Sequence, residues 1–181
     1  KVARVWLRWM PDSAEASNFL GRILAAGNQH VEAELAFREA LRLDARHLPA
    51  AVALTRFLLT NGRAEDACGV IEPFARDKIG IPEAWLLYGS ALASLGRAAQ
   101  AVELFQKVLQ REPGNREVRI ILAAALADSG QGAAAEIEAR SAISQGLVWA
   151  YVAFVLARAL MAQGRFDEGE VELHKAVHAH P

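Results

Sequence analysis

The 181-residue chain contains one cysteine, Cys68, so an intramolecular disulfide framework is excluded. A lone thiol suits a reducing compartment and equally one where disulfides go unused. The expected location is cytoplasmic by default, with the periplasm or another compartment left open. The longest apolar run, eleven residues from Leu147 to Ala157, is far shorter than the roughly 20 that span a bilayer, so no membrane insertion is expected. Aromatic residues are scarce at 7% against 53% hydrophobic, which leaves apolar content that is small and aliphatic and points to closely packed helices, an all-α chain. Net charge is nearly absent: 20 Lys plus Arg against 21 Asp plus Glu leave -1, too little to gather a phosphate backbone, so no nucleic-acid partner is expected. The chain does not begin with Met, and Lys1 to Trp9 interleaves arginine with apolar residues rather than forming a signal-peptide core.

Catalytic motifs are lacking as well. No Gly-x-Ser-x-Gly elbow, phosphate-binding Gly-Lys-Ser/Thr or His-Glu-x-x-His occurs, so hydrolase, kinase and metalloprotease readings have no residues to carry them. Gly130-Gln131-Gly132-Ala133-Ala134-Ala135 matches a loose dinucleotide pattern, but no strand precedes it to aim the turn at a pyrophosphate. His174 and His178 stand four apart on a helix, with Glu170 one turn before and His180 beyond. Histidines near a helix C-terminus favour its dipole, and no metal site is expected. The chain is expected to be no enzyme and to need no cofactor. Cys68 reads as a packed or solvent-edge thiol.

What the chain does have is a period. Gly62, Gly96, Gly130 and Gly164 recur thirty-four residues apart, and so do Ala33, Ala67, Ala101, Ala135 and Gly169. Leu24, Leu58, Leu92, Leu126 and Leu160 form a third column. Leu20, Leu54, Tyr88, Leu122 and Leu156 lie four residues before them, on the same helical face. Between these columns Gly21, Thr55, Gly89, Ala123 and Ala157 are small enough to admit a neighbouring helix. A second helix follows each turn glycine, with Ala33, Phe37, Ala40 and Leu41, then Ala101, Phe105, Val108 and Leu109, on one face. Pro11, Pro113 and Pro181 stand whole periods apart and mark unit ends. Two local departures carry consequences. Asn28 holds the turn column of the first unit, where Asn tolerates a left-handed backbone. Pro73 lies inside a second helix and predicts a bend there.

These columns resemble the tetratricopeptide repeat. The third unit carries Trp85, Tyr88-Gly89, Leu92, Gly96, Ala101, Phe105 and Pro113 at that family's signature positions. The resemblance implies an α-solenoid, a right-handed superhelix of antiparallel helix pairs, with about five units and an N-terminal partial repeat. The units run 14–47, 48–81, 82–115, 116–149 and 150–181, after a 1–13 segment that continues a preceding repeat and holds Trp6 and Trp9. Leu173 and Val177 on the last helix lack the polar capping helix such arrays need. A segment of a longer protein is therefore expected, or one whose ends pack on a partner.

In relatives of this kind the first helices line a concave groove that holds a partner's peptide or helix. Carried onto this chain, the groove residues are Asn18, Phe19, Arg22, Val52, Ala53, Arg56, Leu59, Leu86, Leu87, Ser90, Ile120, Ile121, Phe154, Val155 and Arg158. Apolar side chains of the partner are expected on Leu86, Leu87, Ile120 and Ile121. Arg22, Arg56 and Arg158 share one column and suit a carboxylate. The implied function is a non-catalytic protein-protein interaction scaffold. Its alternatives are the recruiting or regulatory arm of a larger enzyme and a module that self-associates through uncapped ends. The arginines after the turn glycines, Arg63, Arg97 and Arg165, read as solvated turn charges.

Overall fold

In a computed structural model, residues 12–77, 79–146 and 150–178 are described and form ten helices with no strand among them. Residues 1–11, with Trp6 and Trp9, lie outside the described residues. The helices are α1 (Ala14–Ala26), α2 (His30–Leu43), α3 (Leu48–Thr60), α4 (Ala64–Ala75), α5 (Pro82–Ser94), α6 (Ala98–Arg111), α7 (Arg116–Asp128), α8 (Gly132–Ser144), α9 (Ala150–Met161) and α10 (Phe166–His178). They divide into two compact units, one through Ala91 and one from Leu92, with the division inside α5.

The thirty-four-residue period has a backbone basis. After each first helix the chain takes a positive φ, at Gly62, Gly96, Gly130 and Gly164 (73° to 81°) and at Asn28 (56°). The next residue's N–H then bonds back to the carbonyl of the leucine column: Gln29 to Leu24, Arg63 to Leu58, Arg97 to Leu92, Gln131 to Leu126 and Arg165 to Leu160, at 2.8–3.0 Å. This six-to-one closure satisfies a carbonyl that the ending helix would otherwise leave open. First helices start on period too. Ser13, His47 and Asn115 sit whole periods apart, and each side chain accepts from the backbone N–H three residues on. His47 accepts through Nδ1, and its Nε2 lies 3.0 Å from Glu15 Oε2.

In the first unit one core cluster gathers Phe37 with Leu24, Leu54 and Leu58 around small Ala33 and Ala67. A second joins Ala51, Ile71, Ala75, Ala84 and Leu87. Two signature aromatics tie α5 to α4 at its edge: Trp85 Nε1–H donates to the Ala75 carbonyl (2.9 Å) and the Tyr88 hydroxyl to Glu72 (3.1 Å). Burial, with Glu72 beside it, pushes the Tyr88 phenol above its ordinary value. In the second unit Ile120, Ala123, Ala139, Val152, Val155, Leu156 and Leu160 form the core between α7, α8 and α9. Each large apolar side chain so buried contributes about 1.5–3 kcal/mol. Helix α4 runs through Pro73 and closes at Ala75, two residues earlier, by repeat position, than α2 and α6.

The dinucleotide-like Gly130–Ala135 stretch is a helix turn followed by the start of α8. Its second glycine has a packing role: a Cβ on Gly132 would stand 2.8 Å from the Ala159 carbonyl of α9.

Candidate partner-binding groove

First helices α1 and α3 lie side by side in the first unit, and a cavity of about 360 Å³ opens along them. Asn18 and Arg22 enter it from α1, Val52, Ala53 and Arg56 from α3, and Glu83 from the start of α5. Arg22 is exposed and makes no ion pair among the described residues. Arg56 reaches Glu83 at 3.0 Å, but both are about half exposed, and a pair so solvated is worth little. The site therefore offers cationic donors above a floor of small aliphatic groups. Guanidinium groups over an apolar floor are chemically suited to a carboxylate beside an apolar side chain.

A second cavity of about 500 Å³ shares Arg22, Ala53 and Arg56 with the first and continues toward the turn end of α3. Its walls are aromatic. Phe57 stands 5.7 Å from the His30 ring and 6.1 Å from Phe37, centroid to centroid. None of the three was expected at a binding surface.

The other expected groove residues divide. Leu87 (5% exposed) and Ile120 (2%) are buried in the core clusters of their own units, so neither presents an anchor to a partner. The reason is helical geometry. Neighbours such as Leu86 and Leu87, or Ile120 and Ile121, point about 100° apart and cannot both face one groove. Leu86, Val52 and Leu59 are half-buried, and Ile121 packs on the cluster that contains Ile120. Val155 is fully buried. The Ser90 hydroxyl donates to the Leu86 carbonyl at 2.8 Å. Phe19 and Phe154 are exposed. Arg158, in the second unit, is already engaged: it pairs with Asp128 and lies over the Phe154 ring at 5.6 Å. The expected three-arginine column thus supplies two arginines to one site, Arg22 and Arg56.

Models of the tetratricopeptide repeat match residues 2–47 and 53–116, 92–146, and 150–175. The chain belongs to the tetratricopeptide repeat family. Solved structures agree on the fold. YrrB, described as a TPR protein with an unusual peptide-binding site, superposes with a TM-score of 0.80 at 16% identity, over 98% of this chain and 92% of that one. MamA from Desulfovibrio magneticus RS-1 gives 0.80 at 13% identity over 91% and 93%. Another MamA protein gives 0.78 at 17% over 91% and 90%. Comparison of the sequence with curated proteins finds no match.

Within this tetratricopeptide array Asn18 is an exception to its own column, which otherwise reads Val52, Leu86, Ile120 and Phe154. It is 2% exposed and, among the described residues, its Oδ1 accepts no hydrogen bond. A buried acceptor left unsatisfied costs about 1–3 kcal/mol. Asn18→Leu is therefore expected to raise the melting temperature by several degrees, roughly 2–4 °C for each kcal/mol recovered. An unchanged or lower melting point by circular dichroism would show that the carbonyl is satisfied in solution.

Two of the three turn arginines are not simply solvated, whereas Arg97 is exposed and makes no ion pair among the described residues. Arg63 reaches back twenty-nine residues to Glu34 (2.5 Å) and forward to Asp66, and Arg165 reaches back the same distance to Glu136 (2.5 Å) and forward to Glu168 (2.6 Å). Between them the glutamate column reads Cys68 and Val102. Cys68 is half-buried against the Phe37 cluster. The Arg63 guanidinium, with Arg38, holds the Glu34 carboxyl below its ordinary value of 4.5. The Gln163 amide, then Arg140 and Arg165, does the same for Glu136. Carboxyls lowered in the folded state stabilise it above their ordinary value, and that contribution is lost as pH falls through the folded value. Melting temperature should therefore fall below about pH 4.5, and Glu34→Gln/Glu136→Gln should make the fall shallower. Identical slopes for the two proteins would assign the acid sensitivity elsewhere.

No helix of the described residues is long and apolar enough to cross a membrane. Among them, no three His, Cys, Asp or Glu side chains gather as metal ligands would. His174 lies 3.6 Å from Glu170. His180 is outside the described residues.

Proposed function

We propose that the chain is a non-catalytic protein-interaction scaffold whose first unit receives an extended acidic segment of a partner along α1 and α3. The observation that carries this is the convergence of Arg22 and Arg56 on one cavity floored by Val52 and Ala53. Family membership and the peptide-binding site of YrrB support the same reading. A few anchors worth about 1.5–3 kcal/mol each, set against an association cost on the order of 4–15 kcal/mol, give micromolar affinity. A fluorescein-labelled peptide of alternating Glu and Leu tests it by anisotropy, beside the same peptide with Lys for Glu. The acidic peptide should bind, weaken with added salt, and lose about tenfold in affinity to Arg22→Glu. Equal binding of the lysine peptide, or no response to Arg22→Glu, would sink the proposal.

A second reading is self-association through α10, where Val171 (53%) and Val177 (68%) are exposed. Light scattering across protein concentration separates the two, since the peptide reading requires no growth in mass.

A further inference from the structure

The repeat period is broken at one seam. Where the start of a second helix faces the next first helix, paired columns are small: Ala64 with Ala91, Ala98 with Ala125, Gly132 with Ala159. All six residues are buried, and at Gly132 there is no room for even a methyl group. The first such seam instead carries His30 and Phe57, whose rings lie 5.7 Å apart and tilted by 36°. Two columns have changed from small to aromatic together. Rather than a closed contact, the result is the cavity of about 500 Å³ over Phe37, with Arg22 and Arg56 on its edge.

Packing accounts for part of this, since Phe57 is half-buried against the Phe37 cluster. It does not account for His30: the same seams elsewhere close with alanine or glycine, and the His30 ring is exposed, so it covers Phe57 without completing a core. Nor do the nearby polar groups fill the space, for Thr60 Oγ1 donates to the Arg56 carbonyl and Asn61 Nδ2 to the Phe57 carbonyl. What remains open to a ligand is aromatic surface bordered by guanidinium groups. We infer that the His30–Phe57 seam is an anchor pocket for an aromatic side chain of the partner, flanked in the partner sequence by aspartate or glutamate. The inference rests on the proposed α1–α3 groove and adds the residue class that groove selects. Walls made of His30, Phe37 and Phe57 favour an aromatic guest over an aliphatic one, because aromatic pairs gain beyond the area they bury, and the guanidinium of Arg22 or Arg56 adds attraction to the guest's ring face. The neighbouring carboxylates meet Arg22, which has no ion pair among the described residues.

The test uses three labelled peptides, read by anisotropy against the whole chain: an acidic peptide with one central tryptophan, the same peptide with alanine there, and the tryptophan peptide with lysines for its acids. The tryptophan peptide should bind about tenfold or more tightly than the alanine version, and the lysine version weakest. His30→Ala and Phe57→Ala give the small residue that the other seams carry; because Phe57 also packs on the Phe37 cluster, circular dichroism checks that the double variant keeps its helices at the assay temperature. In the double variant the tryptophan and alanine peptides should bind alike, at the affinity of the alanine peptide for the unaltered chain. His30→Ala alone, at an exposed position, should give part of that loss. Equal binding of both acidic peptides to the unaltered chain would overturn the anchor pocket while leaving the groove standing. Failure of every peptide to bind would overturn both. A tryptophan preference that survived the double variant would place the aromatic guest elsewhere and also overturn the assignment.

Discussion

Phe37→Ala is expected to cost about 3–5 kcal/mol, the largest loss of any single truncation considered. Phe37 is 2% exposed and sits among Leu24, Leu54 and Leu58, so it joins α2 to both neighbouring first helices. Its ring lies against α1 where Gly21 has no side chain: a Cβ there would be 2.6 Å from two ring carbons. That fit also makes the loss hard to recover. With the helix backbones already held close, the walls cannot collapse into the space the ring leaves, and a residual cavity adds to the lost transfer energy. Repeats contact only their neighbours, so the loss should be local. Hydrogen exchange should speed up in α1 to α4 well before α8 to α10. A cost below about 1 kcal/mol, or uniform acceleration along the chain, would show that the Phe37 cluster is not the keystone of its unit.

Gly132→Val should be the second largest, at about 1–3 kcal/mol of overpacking. The obstruction is backbone: the Ala159 carbonyl at 2.8 Å, with Gln163 Cγ at 2.9 Å and Ala162 Cβ at 3.0 Å. A carbonyl within a helix cannot rotate aside, so α8 and α9 must separate, which also pulls Gln163 from Glu136 (2.9 Å). Gly69 supplies the control. It lies on the exposed side of α4 with nothing within 4 Å of a Cβ, so Gly69→Ala should raise stability by up to about 1 kcal/mol through helix propensity. Urea unfolding of the two variants must give opposite signs. If Gly132→Val is neutral, the close approach at Ala159 is not maintained in solution.

The two glycines show how far a residue pattern can be read. Gly130 and Gly132 together look like a phosphate loop, and the period was enough to reassign Gly130 to a turn. The role of Gly132 lay in the approach of α9, which no local pattern encodes. The groove divides in the same way. That Arg22 and Arg56 would line one cavity could be read from their shared column, because residues one period apart occupy equivalent positions on neighbouring first helices. Leu87 and Ile120 were misassigned because hydrophobicity at adjacent positions does not say which of two neighbours turns inward. His30 and Phe57 were overlooked, although a trace of them was present: each is large in a column that is small at most other units. Their meaning depends on the two columns facing each other, twenty-seven residues apart.

By itself the sequence determined the all-α class, the thirty-four-residue helix pair and the left-handed turn that ends each first helix, including the substitute Asn28. All of these are local: propensity, periodicity and φ act within a few residues, and repetition amplifies them five times over. Only the tertiary structure decided which arginines stay available, Arg22 rather than Arg158, and that Arg63 and Arg165 bridge successive helix pairs. It also turned one aromatic seam into a cavity. Those outcomes depend on which side chains meet across helices, a matter of distance and burial between residues that the chain itself holds far apart.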